Sequence, residues 1–232
     1  MVEFGDLSAH SSDDAPSQVF AAHLMAGLVA SGAKRIFLAP GARSQALAIA
    51  AGQLADAGKA ELHVRIDERS LGFTALGAAL SSDEPSIVIC TSGTAVANLH
   101  PAVLEASHSG VPLILLTADR PHELRGVGAN QTTDQVGIFA DAVRVCFDVE
   151  APAHPDCGLD SVSELVSTAI MAALGHNNSQ PGPVQINLAF REPLSAITPN
   201  AAEISVVPAH EVFSATPEFA ILDAETPTVV LA

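Results

Sequence analysis

The stretch LHVRIDERSLGFTALG, residues 62–77, begins with apolar residues at alternate positions and ends in apolar residues at helical spacing. Arg65, Asp67, Glu68 and Arg69 are crowded into the join. It reads as a buried strand running directly into a helix, and the same unit recurs on both sides. Upstream, a helix carrying Phe20, Leu24, Leu28 and Val29, with Asp13 or Asp14 as its cap, leads to a strand at RIFLAP (35–40) and a helix at QALAIAAGQLADAG (45–58). Downstream, SIVICT (86–91) is a strand, TAVANLHPAVLEASHSG (94–110) is largely helical, and VPLILLT (111–117) is the most apolar strand of all. A polar loop (118–130) follows, then a short helix around DQVGIFA (134–140), a strand at VRVCFDV (143–149), a helix within 160–175 and a last strand at PVQINLA (183–189). Strict alternation with strands apolar on both faces predicts an α/β fold: a six-stranded parallel sheet covered by helices on both faces.

This domain is expected to span residues 15–191, after a flexible N-terminus at 1–14. From Glu192 the composition shifts, with five of the 15 prolines, six carboxylates and no Lys or Arg in the last 41 residues. Residues 192–226 read as a linker, and 227–232 as the first strand of a truncated central domain. A formal charge of −16 repels phosphate backbones and anionic lipid, which argues against nucleic acid and membrane partners. Neither a signal peptide nor a transmembrane run is evident. Cys90, Cys146 and Cys157 form no C-x-x-C pair and no zinc spacing, so reduced thiols in a cytoplasmic protein are expected.

An open parallel sheet binds its ligand beyond the carboxyl ends of its strands, where loops lead into helices. Five of the eight arginines, Arg43, Arg65, Arg69, Arg120 and Arg125, fall at or beside those ends. In so acidic a chain they suggest a small anionic ligand held by guanidinium forks. Alternatively they pair with Asp67, Glu68, Asp119 and Glu123 and only stabilise loops. Glu68 likewise has two readings, a solvated carboxylate at a helix start or a buried acid poised to share a proton with a ring nitrogen. TSGTA (91–95) is either a phosphate-cradling turn or simple strand-to-helix turn chemistry. GVGANQ (126–131) lacks the third glycine of a dinucleotide fingerprint, and His63, His100 and His108 form no ligand set.

Taken together, LAPGARSQALAIA, LHVRIDERSLGF, CTSGTAVANLHPAVLEASHSGVPLILLTADRP, GANQTTDQ and PGPVQINLAFREPL resemble one family from about residue 15 to residue 200. It is the thiamine-diphosphate-dependent synthases that make 2-succinyl-5-enolpyruvyl-6-hydroxy-3-cyclohexene-1-carboxylate in menaquinone biosynthesis. The resemblance implies a pyrimidine-binding domain in which Glu68 is the catalytic acid hydrogen-bonded to N1' of the aminopyrimidine. Gly93 and Thr94 are then cofactor-binding residues. Arg43, Arg120, Asn130 and Gln131 face the dicarboxylate substrates 2-oxoglutarate and isochorismate, while Arg65 and Arg69 hold the Glu68 turn. It further implies a homo-oligomer with the active site shared between subunits, and a Mg2+ or Mn2+ ion and the diphosphate bound outside this chain, by a G-D-G motif in a C-terminal domain. The chain alone is accordingly expected to be inactive. One departure stands out: the family's first loop reads P-G-S-R-S, and Ala42 here removes a hydroxyl. The rivals are another thiamine-diphosphate 2-oxo-acid synthase or lyase, and a stand-alone anion-binding regulatory module.

Overall fold

The computed structural model describes residues 16–82, 84–154, 159–176, 180–194, 199–206 and 208. The described residues contain six strands, β1 (Arg35–Leu38), β2 (Glu61–Val64), β3 (Ser86–Cys90), β4 (Leu113–Asp119), β5 (Cys146–Val149) and β6 (Val184–Ala189). All pair in parallel, in the order β2-β1-β3-β4-β6-β5, as the alternating pattern requires. Side chains alternate across each strand, so the sheet divides its apolar residues between two cores. Ile87 and Ile89 of β3 face one side with Ile114, Leu116, Ile186 and Leu188. There they meet three helices, α1 (Pro16–Ala30), α2 (Gln45–Asp56) and α6 (Leu159–Ala173). Val88 and Cys90 face the other side, against α3 (Glu68–Ser82), α4 (Thr94–Ala97) and α5 (His100–Ser109). Truncating a fully buried residue such as Ile87 or Leu116 to Ala costs about 2–5 kcal/mol, because the layers cannot collapse into the void.

Three expectations are corrected. The strand at 61–66 is not buried: β2 pairs only with β1 at the sheet edge, and Val64 and Ile66 are exposed. An alternating apolar pattern cannot by itself distinguish an edge strand from a central one. The stretch 134–140 forms no helix but a turn at 136–139, then a single 3-10 turn at Ala140–Ala142, because Gly137 (φ 71) and Ala140 (φ 46) take left-handed backbone. The long helix at 94–110 is broken at Asn98 and Leu99 into α4 and α5. Pro101, near the start of α5, has no N–H to donate and its ring disfavours continuing the preceding turn. Gly110 then closes α5 in the left-handed conformation (φ 66).

Beyond β6 the described chain returns across the first core. Ala201 N–H donates to Gln53 Oε1 (2.9 Å), and Ile204 and Val206 pack against the α1–α2 layer. Residues 1–15 with the predicted caps Asp13 and Asp14, Cys157, and the expected terminal strand at 227–232 lie outside the described residues.

Candidate functional site

In this strand order β1 leads to β2 on one side and, through β2, to β3 on the other, so the loops after β1 and β3 part at a topological switch point. Gly41, in the loop after β1, passes so close to the loop after β3 that a Cβ on it would lie 2.3 Å from Cβ of Thr91. Only glycine permits that approach. Around this crevice stand Glu68 after β2, Arg43 after β1, Ser92 to Thr94 after β3, and Arg120 after β4.

The charged join is organised by Asp67. Its Oδ1 accepts Ser70 N–H (2.7 Å) and its carbonyl accepts Leu71 N–H (3.0 Å), the bonding of a helix N-cap. The Ser70 backbone bond, with the Ser70 hydroxyl and Arg69 charge assisting, holds the Asp67 pKa below its usual value. Arg65 and Arg69 do not hold the turn by hydrogen bonds as expected: both are exposed, and among the described residues Arg65 Nη1 donates only to the adjacent Val64 carbonyl (2.9 Å), while Arg69 contributes charge alone. With the turn held by Asp67, Glu68 is left for another purpose. It is half-buried, neither deeply sequestered nor fully solvated, and Oε2 accepts Asn98 Nδ2–H (3.1 Å) across from the α4–α5 break. Among the described residues Oε1 has no partner. Burial, and then the Glu68 charge, push the Cys90 thiol well above its normal range, so this cysteine is an inert part of the core beside the carboxylate.

Arg120 is the most clearly poised of the arginines. Nη1 donates to Ser92 Oγ and to the Gln131 carbonyl (3.0 Å), while its own N–H donates to Asp119 Oδ1 (2.7 Å). Nε and Nη2 have no partner among the described residues, leaving one edge of the guanidinium fork open. Arg43 is 8% exposed. Nη1 donates to the Phe190 carbonyl (2.8 Å), Nη2 lies 3.4 Å from Glu192 Oε1, and Nε is buried with no partner among the described residues. Burial and, next, the Arg43 charge lower the Arg120 pKa, with Asp119 and Glu192 opposing. Two guanidinium groups therefore stand within electrostatic reach of each other at the crevice.

Arg125 belongs to the loop-stabilising class. It bridges Asp119 (3.0 Å) and Asp148 (2.8 and 3.1 Å), and Glu123 pairs with Arg191 (2.7 and 3.0 Å). Gln131 takes left-handed backbone (φ 55) and donates Nε2–H to the Ser92 carbonyl (3.1 Å). Asn130 is exposed at the same loop, and its carbonyl accepts the Thr132 hydroxyl (3.3 Å). Gly93, at φ 83, has its N–H taken by Gln135 Oε1 (2.8 Å), and Thr94 is exposed at the start of the single-turn α4. Within TSGTA the Gly93 amide is therefore already spent on Gln135. Among the described residues no cluster of three or more His, Cys, Asp or Glu could hold a metal ion.

Beneath the crevice lies a polar layer that the sequence reading missed. Asn187 Oδ1 accepts from Thr117 and Gln135 (both 3.0 Å), and Asn187 Nδ2 donates to Asp119 (2.9 Å) and Asp148 (3.0 Å). Gln185 donates to the Gln135 carbonyl (2.9 Å) and to Thr117 Oγ1 (3.2 Å). A signal existed: Gln185 and Asn187 interrupt an apolar strand at alternate positions, and polar groups sharing a buried face must satisfy one another. Gln135 closes the GANQTTDQ motif, but nothing in the loop's pattern marks it as buried.

An open crevice at a switch point, an unspent carboxylate oxygen on one side and paired guanidinium groups on the other define a ligand-binding parallel α/β domain. Residues 19–138 match the family model described as thiamine pyrophosphate enzyme, N-terminal TPP binding domain, and the chain belongs to that family. It is 51% identical over 184 residues to the 2-succinyl-5-enolpyruvyl-6-hydroxy-3-cyclohexene-1-carboxylate synthase of Leifsonia xyli, covering 79% of this chain and 31% of that protein. Proteins with the same name from Kineococcus radiotolerans (50% over 190 residues; 82% and 34%) and Clavibacter michiganensis (48% over 208 residues; 88% and 34%) are similar to it too. The chain thus spans about a third of the length of the curated relatives it matches.

Proposed function

We propose that this chain is the N-terminal, aminopyrimidine-binding part of a thiamine-diphosphate-dependent transferase. The complete enzyme decarboxylates 2-oxoglutarate and joins the remaining four-carbon unit to isochorismate. The observation that carries the reading is the open edge of Arg120 beside Arg43, in a chain of net charge −16 whose relatives are so named. Arg43 is already paired with Glu192, which leaves the Nε–Nη2 edge of Arg120 as the open fork, and that edge has the geometry a carboxylate matches.

The cofactor fits the other side of the crevice. Glu68 offers Oε1 while Asn98 holds Oε2, so a protonated carboxyl there can donate to a ring nitrogen in a fixed direction. When bound, thiamine diphosphate supplies the carbon nucleophile for the oxo group. This chain's part is to hold a proton at Glu68, keep the Gly93 turn in place and orient a substrate carboxylate at Arg120. Gly93 and Thr94 then line the cofactor by shape, since the Gly93 amide is already bonded. Arg43 supplies charge from beneath, and Asn130 and Gln131 border the substrate side. A divalent ion, the diphosphate contacts and a second subunit completing the site are assigned to parts outside this chain, which alone turns nothing over. A cytoplasmic setting suits such chemistry, and no helix among the described residues is long and apolar enough to cross a membrane.

The test is a steady-state assay of the complete protein with 2-oxoglutarate, isochorismate, thiamine diphosphate and Mg2+ or Mn2+. Arg120→Lys keeps the charge and loses the fork, so kcat/KM for 2-oxoglutarate should fall roughly ten- to hundredfold with little change in melting temperature. Turnover of pyruvate in place of 2-oxoglutarate would point to a different synthase of the same fold. Wild-type kinetics in the variant would remove Arg120 from the substrate.

A further inference from the structure

A closed circuit of hydrogen bonds joins the turn after β3 to the end of β4, and one buried side chain, Gln135, makes three of its bonds. Gln135, 1% exposed, accepts Gly93 N–H at Oε1 (2.8 Å). Through Nε2 it donates to the Ala118 carbonyl (3.1 Å) and to Asn187 Oδ1 (3.0 Å). Asn187 passes the connection to Asp119 Oδ2 (2.9 Å), and Asp119 Oδ1 receives the Arg120 N–H (2.7 Å). Arg120 closes the circuit by donating to Ser92 Oγ, next to Gly93, and to the Gln131 carbonyl (3.0 Å).

We infer that Gln135 is a positioning residue that sets the separation between the Gly93 turn and Arg120, and so between cofactor and substrate. The inference rests on the functional reading above for what the two loops hold, but the linkage itself is a property of this chain. No other side-chain type of this size both accepts one backbone N–H and donates two hydrogen bonds from a single fixed amide. All three Gln135 side-chain contacts are buried, where an unmet polar group is costly and bond directions are tightly held. The loop on which Gln135 sits is otherwise polar and largely exposed from Asn130 to Asp134; Gln131 ties it to Ser92 and Arg120 near the surface, and Gln135 ties it to the buried layer below. Gln135 thus anchors this loop while aligning the turn after β3 with the end of β4.

Two variants of the complete protein, Gln135→Glu and Gln135→Met, separate the two arms of the amide. As a carboxylate, Glu still accepts Gly93 N–H but cannot donate to Ala118 or Asn187; Met makes none of these bonds. Hydrogen exchange read by mass spectrometry should accelerate in peptides covering 118–124 in both variants, and in those covering 91–97 chiefly in Gln135→Met, with β1 peptides unchanged. KM for 2-oxoglutarate should rise about tenfold in both, the equivalent of one well-placed hydrogen bond, while kcat falls less. Faster exchange confined to 91–97 in Gln135→Met would overturn the linkage, as would unaltered KM in variants whose exchange has changed at both loops. If the wild-type protein does not use 2-oxoglutarate, the functional reading fails, and the exchange pattern still decides whether Gln135 couples the loops. Should Gln135→Met not fold, Gln135→Glu alone still decides, through exchange at 118–124 and the KM value.

Discussion

The two sides of the crevice are built to opposite rules. On the β2 side, Glu68 opens α3 just beyond an edge strand, with one side-chain hydrogen bond among the described residues, near exposed Val64, Ile66 and Phe73. On the β4–β6 side, Thr117, Asp119, Gln135, Gln185 and Asn187 are buried and bonded to one another. The difference accords with the roles proposed for the two sides: Glu68, proposed to exchange a proton with a ligand, keeps an open oxygen, whereas Arg120, proposed to hold a charge in one direction, stands on a satisfied network.

Breaking the sparse side should have the largest effect on chemistry. Glu68→Gln in the complete protein retains the Asn98 bond but cannot supply the proton, so turnover should fall by roughly 10² to 10⁴ with an unchanged melting temperature. Deuterium exchange at the cofactor's C2 is the direct measurement, and unchanged exchange would make Glu68 a helix-start carboxylate only. Breaking the braced side should have the largest effect on stability. Asn187→Leu leaves Thr117, Asp119, Asp148 and Gln135 each short of a partner, at about 1–3 kcal/mol for each buried group left unmet. A chemical denaturation curve tests it, and a midpoint within error of wild type would show that water satisfies those groups.

Acid should act on the braced side too, more gently. Hydrogen bonds from Arg191 hold the Glu123 carboxyl down at about 2, well below the usual carboxylate range. At Asp148 burial works to raise the pKa, but bonds from Arg125 and Asn187 prevail and lower it. A depressed carboxylate contributes stability above its unfolded pKa and loses it as pH falls through the folded one. Thermal stability should therefore decline as pH drops from about 4.5 toward 2, with a shallower decline in Glu123→Gln. Because Glu123 and Arg191 are exposed, salt should reduce the difference between the two proteins. The smallest effect belongs to the sparse side's surface: Ile66 is 87% exposed, and Ile66→Thr should change stability by no more than about 0.5 kcal/mol. A larger loss would mean that the β2 edge is less open than it looks.

Much of this was legible from the residues. Six strands in their chain order, and the parallel sheet they form, follow from apolar runs separated by helical stretches, because burial on both faces leaves a compositional mark on β3, β4 and β6. Strand-end placement of Arg43, Glu68 and Arg120 followed from the same alternation. Solvation of β2 could not be read, since edge position is set by which strand pairs with which. The roles of charges also depended on neighbours distant in the chain: Asp67 rather than Arg65 and Arg69 holds the turn, and Arg125 pairs with Asp148, 23 residues on.

What the sequence by itself determined is periodicity and chemistry: an apolar pattern that can be buried only as a covered parallel sheet, and a set of motifs specific enough to indicate the family. What only the tertiary structure decided is which polar groups are already taken. The Gly93 amide is bonded to Gln135 across 42 residues, and Asn187 meets Thr117 and Asp119 across 70 and 68. Such partners are chosen by strand order and register, and a hydrogen bond depends on distance and direction in space, which no local pattern encodes.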